Sequence, residues 1–180
     1  MPSSTTAWST NNFRPMEQTL NVLDIIDGTS VDGPGLRTSI YFAGCDHHCP
    51  GCHNPESWNP NGGTPTTVPR LLQHIAENNM PVTLSGGDPL QQDSQALLSL
   101  LKGVKALGLD LWCYTGYTYE QLLADPQRLP LLDYIDVVVD GPFMLPLRDT
   151  SLIFKGSSNQ RLIDVRKTGQ GKISLWESDF

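Results

Sequence analysis

Three cysteines fall within eight residues, at Cys45, Cys49 and Cys52, and a loop that short can fold three thiolates around one metal centre. This constrains the fold more than any other feature, because the flanking chain must present all three sulfurs to one place. A cubane [4Fe–4S] cluster held by three cysteines keeps one iron open, whereas a structural zinc site wants a fourth ligand. Candidates for that ligand are His47, His48, His53 and the distant Cys113. The usual zinc patterns, paired Cys-x₂-Cys units or a Cys-x₂-Cys with a histidine pair, are not present. Buried cysteines without metal are a third reading, disfavoured by the polar Asp46-His47-His48 and the Pro50-Gly51 between them. Cys113 differs, because it sits within an expected strand, where a packed core thiol is the simpler reading.

Apolar periodicity orders the rest. Residues 20–26 and 37–43 read as strands. A turn-rich stretch follows the cysteines as far as Pro65, then a helix from Val68 to Ile75 capped by Thr66 or Thr67, with Pro69 near its first turn. Residues 81–84 and 109–114 read as strands, separated by a helix over 97–107 that Gly108 stops. A short helix over 119–124 leads to 135–139, apolar on both faces as a buried parallel strand should be, and 161–165 and 172–176 read as the last strands. Strands alternating with helices imply a parallel sheet with right-handed crossovers. The chain's 180 residues fall short of the roughly 250 of a complete (β/α)₈ barrel. The expectation is a single domain over 19–180, with 1–18 as a flexible tail in which only Trp8 and Phe13 offer docking groups.

The cysteines, Gly86-Gly87-Asp88, Thr115-Gly116-Tyr117 and Asp140-Gly141-Pro142 each lie just past the carboxyl end of an expected strand, the rim where parallel α/β folds bind ligands. No apolar run approaches the roughly 18 residues of a membrane span. The first residues lack a signal peptide's apolar stretch, and a formal charge of −7 argues against a nucleic-acid binder. A cytoplasmic location is expected, where cysteines stay reduced. Residues 148–172 nevertheless hold six of the twelve basic residues against two acids. That segment is either a solvated face or a docking surface for an acidic partner.

Cys-x₃-Cys-x₂-Cys after one strand, with Leu84-Ser85-Gly86-Gly87-Asp88-Pro89-Leu90 after the next, resembles the signature of the radical S-adenosylmethionine (SAM) enzymes. Val31-Asp32-Gly33-Pro34-Gly35-Leu36-Arg37, Cys49-Pro50-Gly51-Cys52-His53-Asn54-Pro55-Glu56-Ser57-Trp58, Tyr114-Thr115-Gly116-Tyr117 and Gly156-Ser157-Ser158-Asn159-Gln160-Arg161 narrow the likeness. Over residues 22–165 the chain resembles the activating proteins of anaerobic ribonucleoside-triphosphate reductases. The resemblance implies an α/β fold, a partial (β/α) barrel with a mainly parallel sheet. It implies a [4Fe–4S] cluster on Cys45, Cys49 and Cys52, with SAM chelating the open iron. Reductive cleavage of SAM would give a 5′-deoxyadenosyl radical that takes hydrogen from a backbone glycine of the reductase, with reduced flavodoxin as the electron donor. No nucleophile or general-base triad is needed.

The same likeness assigns roles along the rim. Gly86 and Gly87 would let the backbone approach the SAM amino group. Asp88 would accept a hydrogen bond from that ammonium or cap the next helix ahead of Pro89. Gly51, Cys52 and His53 would lie along the adenine, with His53 the stacking candidate. Asp140 occupies a position that related activators follow with a Lys two residues on; position 142 is Pro here, which leaves Lys155 as the candidate contact to the SAM carboxylate. Taken singly, Asp32-Gly33-Pro34-Gly35 is only a turn, Tyr114-Thr115-Gly116-Tyr117 a strand end, and His74 a surface or core-edge residue. The alternatives are an activator of another glycyl-radical enzyme such as pyruvate formate-lyase, and a non-enzymatic, zinc-stabilised interaction module. The short chain and the Gly-Ser-Ser-Asn-Gln-Arg segment weigh against the first.

Overall fold

β1 (Thr19–Thr29) and β2 (Arg37–Phe42) pair antiparallel, and β3 (Thr64–Thr67) adds to the free side of β1. The chain then winds through α1 (Val68–Asn78), β4 (Val82–Gly86), α2 (Ser94–Ala106), β5 (Leu111–Tyr114), α3 (Tyr119–Ala124) and β6 (Val137–Asp140). β7 (Arg161–Asp164) closes antiparallel on β6, while β2, β4, β5 and β6 run parallel. The resulting seven-stranded order is β3-β1-β2-β4-β5-β6-β7, so β3 and β7 are edges of an open sheet. This computed structural model describes residues 17–169 and 172–177. Most of the expected N-terminal tail, with Trp8 and Phe13, lies outside the described residues.

Local chemistry sets the helix ends. Thr67 accepts a hydrogen bond from Arg70 N–H at the start of α1, and Asp93 accepts from Gln95 and Ala96 N–H at the start of α2. Thr118 and Gln121 form a reciprocal capping box on α3. Gly108 follows α2 at φ +74°, the left-handed position that glycine takes without strain.

Two expectations are corrected. Thr64-Pro65-Thr66-Thr67 is a strand rather than the end of a turn-rich stretch; its proline is tolerated because β3 is an edge. Residues 172–176 do not form a continuous strand. They lie beside β7 through Asp164 N–H to Ser174 O at 3.0 Å and Trp176 N–H to Leu162 O at 2.8 Å.

Strand alternation divides the sheet into two unlike faces. Ile40, Phe42, Val82, Leu84, Leu111, Cys113 and Val138 pack with Leu71, Ile75, Leu97, Leu100 and Leu101 of α1 and α2 into the main core. On the opposite face, among the described residues, no α-helix packs; Trp112, Val137 and Val139 are covered instead by Phe154, Leu162 and Trp176. Arg37, 1% exposed, sits beside Trp112 and donates to Thr83 Oγ1 at 2.7 Å, Val82 O at 2.8 Å and Asp110 Oδ2 at 2.9 Å. Thr83 in turn donates to Asp32 O at 3.0 Å, which fixes the 31–36 loop to the sheet.

Candidate functional site

At the carboxyl ends of the parallel strands a cavity of about 300 Å³ opens on the face opposite α1 and α2. Cys45, Cys49 and Cys52 line it together with His53, Gly86, Gly87 and Asp88, so one recess gathers most of the residues singled out in the sequence. Tight backbone contacts suspend the cysteine loop there. Gly44 N–H donates to Ser57 O at 2.7 Å, Asp46 N–H to Gln91 Oε1 at 2.8 Å, and Gln92 Nε2 to Ala43 O at 2.7 Å.

The three thiols are half-buried, and burial pushes Cys45 up to about 11 and raises Cys49. Burial thus favours the protonated thiols of Cys45 and Cys49, and a bound metal must displace those protons. Cys52 Sγ accepts a backbone N–H from Asn54 at 3.4 Å. Such donors stabilise thiolates and tune cluster potentials. Among the described residues, no three His, Cys, Asp or Glu side chains gather closely enough for a single metal ion. The cysteines are instead set around a shared recess, which suits a multi-iron cluster whose thiolates each bind a different iron. Three cysteine sulfurs at one recess are a donor set that fits a [4Fe–4S] centre with one iron open. Cys113 is fully buried in the core, its thiol raised well above the ordinary value by desolvation.

Asp88 does more than one job. Its Oδ1 caps the turn Pro89–Gln91 by accepting Leu90 N–H at 2.9 Å. Its Oδ2 lies 2.7 Å from His47 Nε2 and accepts from Thr115 Oγ1 at 2.9 Å and Gly116 N–H at 3.0 Å. The glycines beside it are needed by the chain itself. A Cβ on Gly86 would stand 2.5 Å from Phe42 N, and one on Gly87 2.4 Å from Gly44 O.

Three residues expected in the site stand elsewhere. Gly51 does not line the cavity: it adopts φ +74° and is covered by Leu145, whose Cδ1 would be 2.9 Å from an added Cβ. Asp140 shares the helix face of β6 with Val138. It accepts Tyr119 N–H at 2.8 Å and Arg161 Nε at 3.1 Å, so Gly141 meets the cavity in its place. Lys155 lies outside the lining and donates to Gln160 O at 3.1 Å.

Other lining residues were not anticipated. Tyr41 and Tyr114 face the cavity from β2 and β5, with Tyr41 donating to Asp32 and Tyr114 to Phe154 O. Period-two alternation with Ser39 and Trp112 was the signal that could have placed them. Phe143 tilts against His53 at 5.1 Å between ring centroids. Gln160 ties the rim after β6 to the one before β7, accepting Gly156 N–H at 2.8 Å and donating to Gly141 O at 3.1 Å. His74 is at the surface, paired with Asp27 at 3.0 Å.

Residues 31–163 match the family described as a 4Fe-4S single cluster domain. The anaerobic ribonucleoside-triphosphate reductase-activating protein of Escherichia coli K12 is 41% identical over 145 residues, covering 76% of this chain and 93% of the relative. The protein of that name from Enterobacteria phage T4 is 39% identical over 139 residues, covering 73% and 86%, and that of Haemophilus influenzae 33% identical over 150 residues, covering 78% and 96%. Among solved structures, QueE from Escherichia coli superposes with a TM-score of 0.48 at 18% identity, covering 56% of this chain and 54% of that one.

Proposed function

This chain belongs to the family of anaerobic ribonucleoside-triphosphate reductase-activating proteins, and on that premise we propose that Cys45, Cys49 and Cys52 hold the [4Fe–4S] cluster with which it activates its reductase. The protein is a radical SAM enzyme, and its substrate is the anaerobic (class III) ribonucleotide reductase. The observation that carries the site assignment is the single recess in which the three thiols face the Gly86-Gly87-Asp88 loop.

When bound, the cluster and SAM supply one electron, a broken carbon–sulfur bond and a radical that takes hydrogen from a glycine of the reductase. The chain's own part is to bind, orient and shield. Cys45, Cys49 and Cys52 would hold three irons of the cluster and leave one iron without a protein ligand. Gly87 and Asp88 fix the end of β4 against the cysteine loop, through Gly87 N–H to Phe42 O at 2.7 Å and Asp88 N–H to Gly44 O at 2.9 Å. Those bonds fix the rim beside the cysteine loop. His53, backed by Phe143, offers the aromatic surface for adenine. Asp88 already has four donors, so its main work is shaping the loop. The open sheet is read as a partial (β/α) barrel forming one domain over 19–180. A reduced flavodoxin as electron donor rests on the family resemblance, and a cytoplasmic location on the chain's composition. Among the described residues no helix is long and apolar enough to cross a membrane.

Anaerobic reconstitution with iron and sulfide tests this reading. The reduced protein should give a cluster EPR signal that SAM perturbs, and 5′-deoxyadenosine should form. Alanine at Cys45, Cys49 or Cys52 should abolish both, and Cys113→Ala should keep the cluster. A colourless, EPR-silent protein loaded with zinc would overturn the reading in favour of an interaction module.

A further inference from the structure

His47 behaves unlike its neighbours in the cysteine loop. His48 stays local, with Nδ1 3.1 Å from Asp46 O and its ring against Trp58. His47 instead crosses the recess to Asp88, whose carboxylate is 1% exposed, at 2.7 Å. The oxygen it meets also accepts from Thr115 and Gly116, so one carboxylate joins the cysteine loop to the ends of β4 and β5. The imidazole packs edge-on against Tyr117 at 4.6 Å. Arg128 backs that ring, 4.3 Å from its centroid and 3.0 Å from its hydroxyl, and donates through Nε to Leu90 O at 3.0 Å. Room for the imidazole comes from Gly116, where a Cβ would lie 2.4 Å from the His47 ring.

The bonds from Gly44 and Asp46 hold the loop from the side of the Ser57 and Gln91 segments. Nothing in them ties the chain between Cys45 and Cys49 to β5; His47 does. We propose that His47 is a positioning residue for the cluster: through Asp88 it clamps the loop between Cys45 and Cys49 onto the ends of β4 and β5, in a seat that Gly116 keeps open. The inference rests on the assignment of Cys45 and Cys49 to the cluster. Partners that orient metal ligands change affinity by roughly ten- to a hundred-fold when removed. A thiolate that drifts also changes the cluster's exposure to solvent, and so its potential.

The test compares reconstituted wild type with His47→Ala, His47→Gln, Gly116→Ala and His48→Ala. Three readouts are followed: iron loss to a chelator, the reduced-cluster EPR spectrum and the midpoint potential. His47→Ala should lose iron at least about ten-fold faster, with a shifted spectrum and potential. His47→Gln, which keeps a donor within reach of Asp88, should recover much of the wild-type behaviour. Gly116→Ala should reproduce the defect with His47 still in the chain, and His48→Ala should match wild type. If His47→Ala does not fold, His47→Asn replaces it, being too short to reach Asp88. Wild type that takes up no [4Fe–4S] cluster overturns the cluster assignment itself. A wild-type cluster with unchanged behaviour in His47→Ala overturns the role of His47 alone. Faster iron loss with an unmoved spectrum and potential also overturns it, because the loop would then loosen without His47 setting where the thiolates meet the cluster.

Discussion

Gly87 makes the tightest approach to backbone on the rim. An added Cβ would meet Gly44 O at 2.4 Å and Ser57 O at 3.0 Å, both backbone atoms of the segments that frame the cysteine loop. Neither can swing away as a side-chain tip could, so Gly87→Ala should destabilise the cluster-free protein by about 2 kcal/mol. Urea unfolding would measure it, with Gly169→Ala as the control: a Cβ there meets nothing within 4 Å, and a change within about 0.5 kcal/mol is expected. Equal losses in the two variants would contradict the steric account. Glycine at position 87 was legible in the sequence, but only half its reason was. A gap left for a ligand is also the gap through which the strand ends approach each other. Asp140 shows the opposite case. Its place after a strand suggested the rim, yet a period of two turns alternate residues to opposite faces, and Asp140 shares its face with Val138.

Among elements, the junction of β6, β7 and α3 shows what that turned-away carboxylate does. Asp140, 1% exposed, accepts the first N–H of α3 from Tyr119 and the guanidinium of Arg161 on the neighbouring strand. Arg161→Met would leave a buried carboxylate without its cation, a change that commonly costs about 3–5 kcal/mol. Arg161 is 34% exposed, and the backbone donors of Tyr119 and Arg161 persist, so the lower end, about 3 kcal/mol, is expected. A thermal or urea midpoint close to wild type would show that solvent replaces the guanidinium. Elements with a clear period of two or 3.6 were legible: the parallel strands and the three helices lie where apolar spacing put them. β3 was hidden because its four residues include a proline and pair through the backbone at an edge. The segment at 172–176 has strand-like composition, but Trp176 docks on Trp112 and Phe154 rather than extending a ladder. Sheet curvature is not written in any local pattern, which is why closure could not be read from spacing.

Across the whole molecule, the basic segment at 148–172 is largely stitched to the body. Arg161 pairs with Glu120 and Asp140, Arg166 with Asp110 and Asp136, and Lys167 with Asp164, so half of its six cations have acidic partners within the chain. A docking surface for an acidic partner is correspondingly weakened, and the charges act instead on the protein's own response to acid. Glu120 reports that response. Its hydrogen bonds with Arg161 come first among the causes that lower its carboxyl from 4.5 to about 2. A carboxylate depressed by folding stabilises the native state above its unfolded value, and that contribution fades as pH falls from about 4.5 to about 2. The side chain is 59% exposed and screened by solvent, so the contribution at neutral pH should stay below about 1 kcal/mol. Comparing Glu120→Gln with wild type cancels the general acid response that both share. The stability gap between them should be full at pH 6, shrink through pH 4 and 3, and vanish near pH 2, and 1 M salt should narrow it because the pair is exposed. Urea unfolding of the cluster-free proteins across that range is the measurement. A gap that stays constant with pH would mean that Glu120 acts through packing, leaving Asp140 as the partner that anchors Arg161.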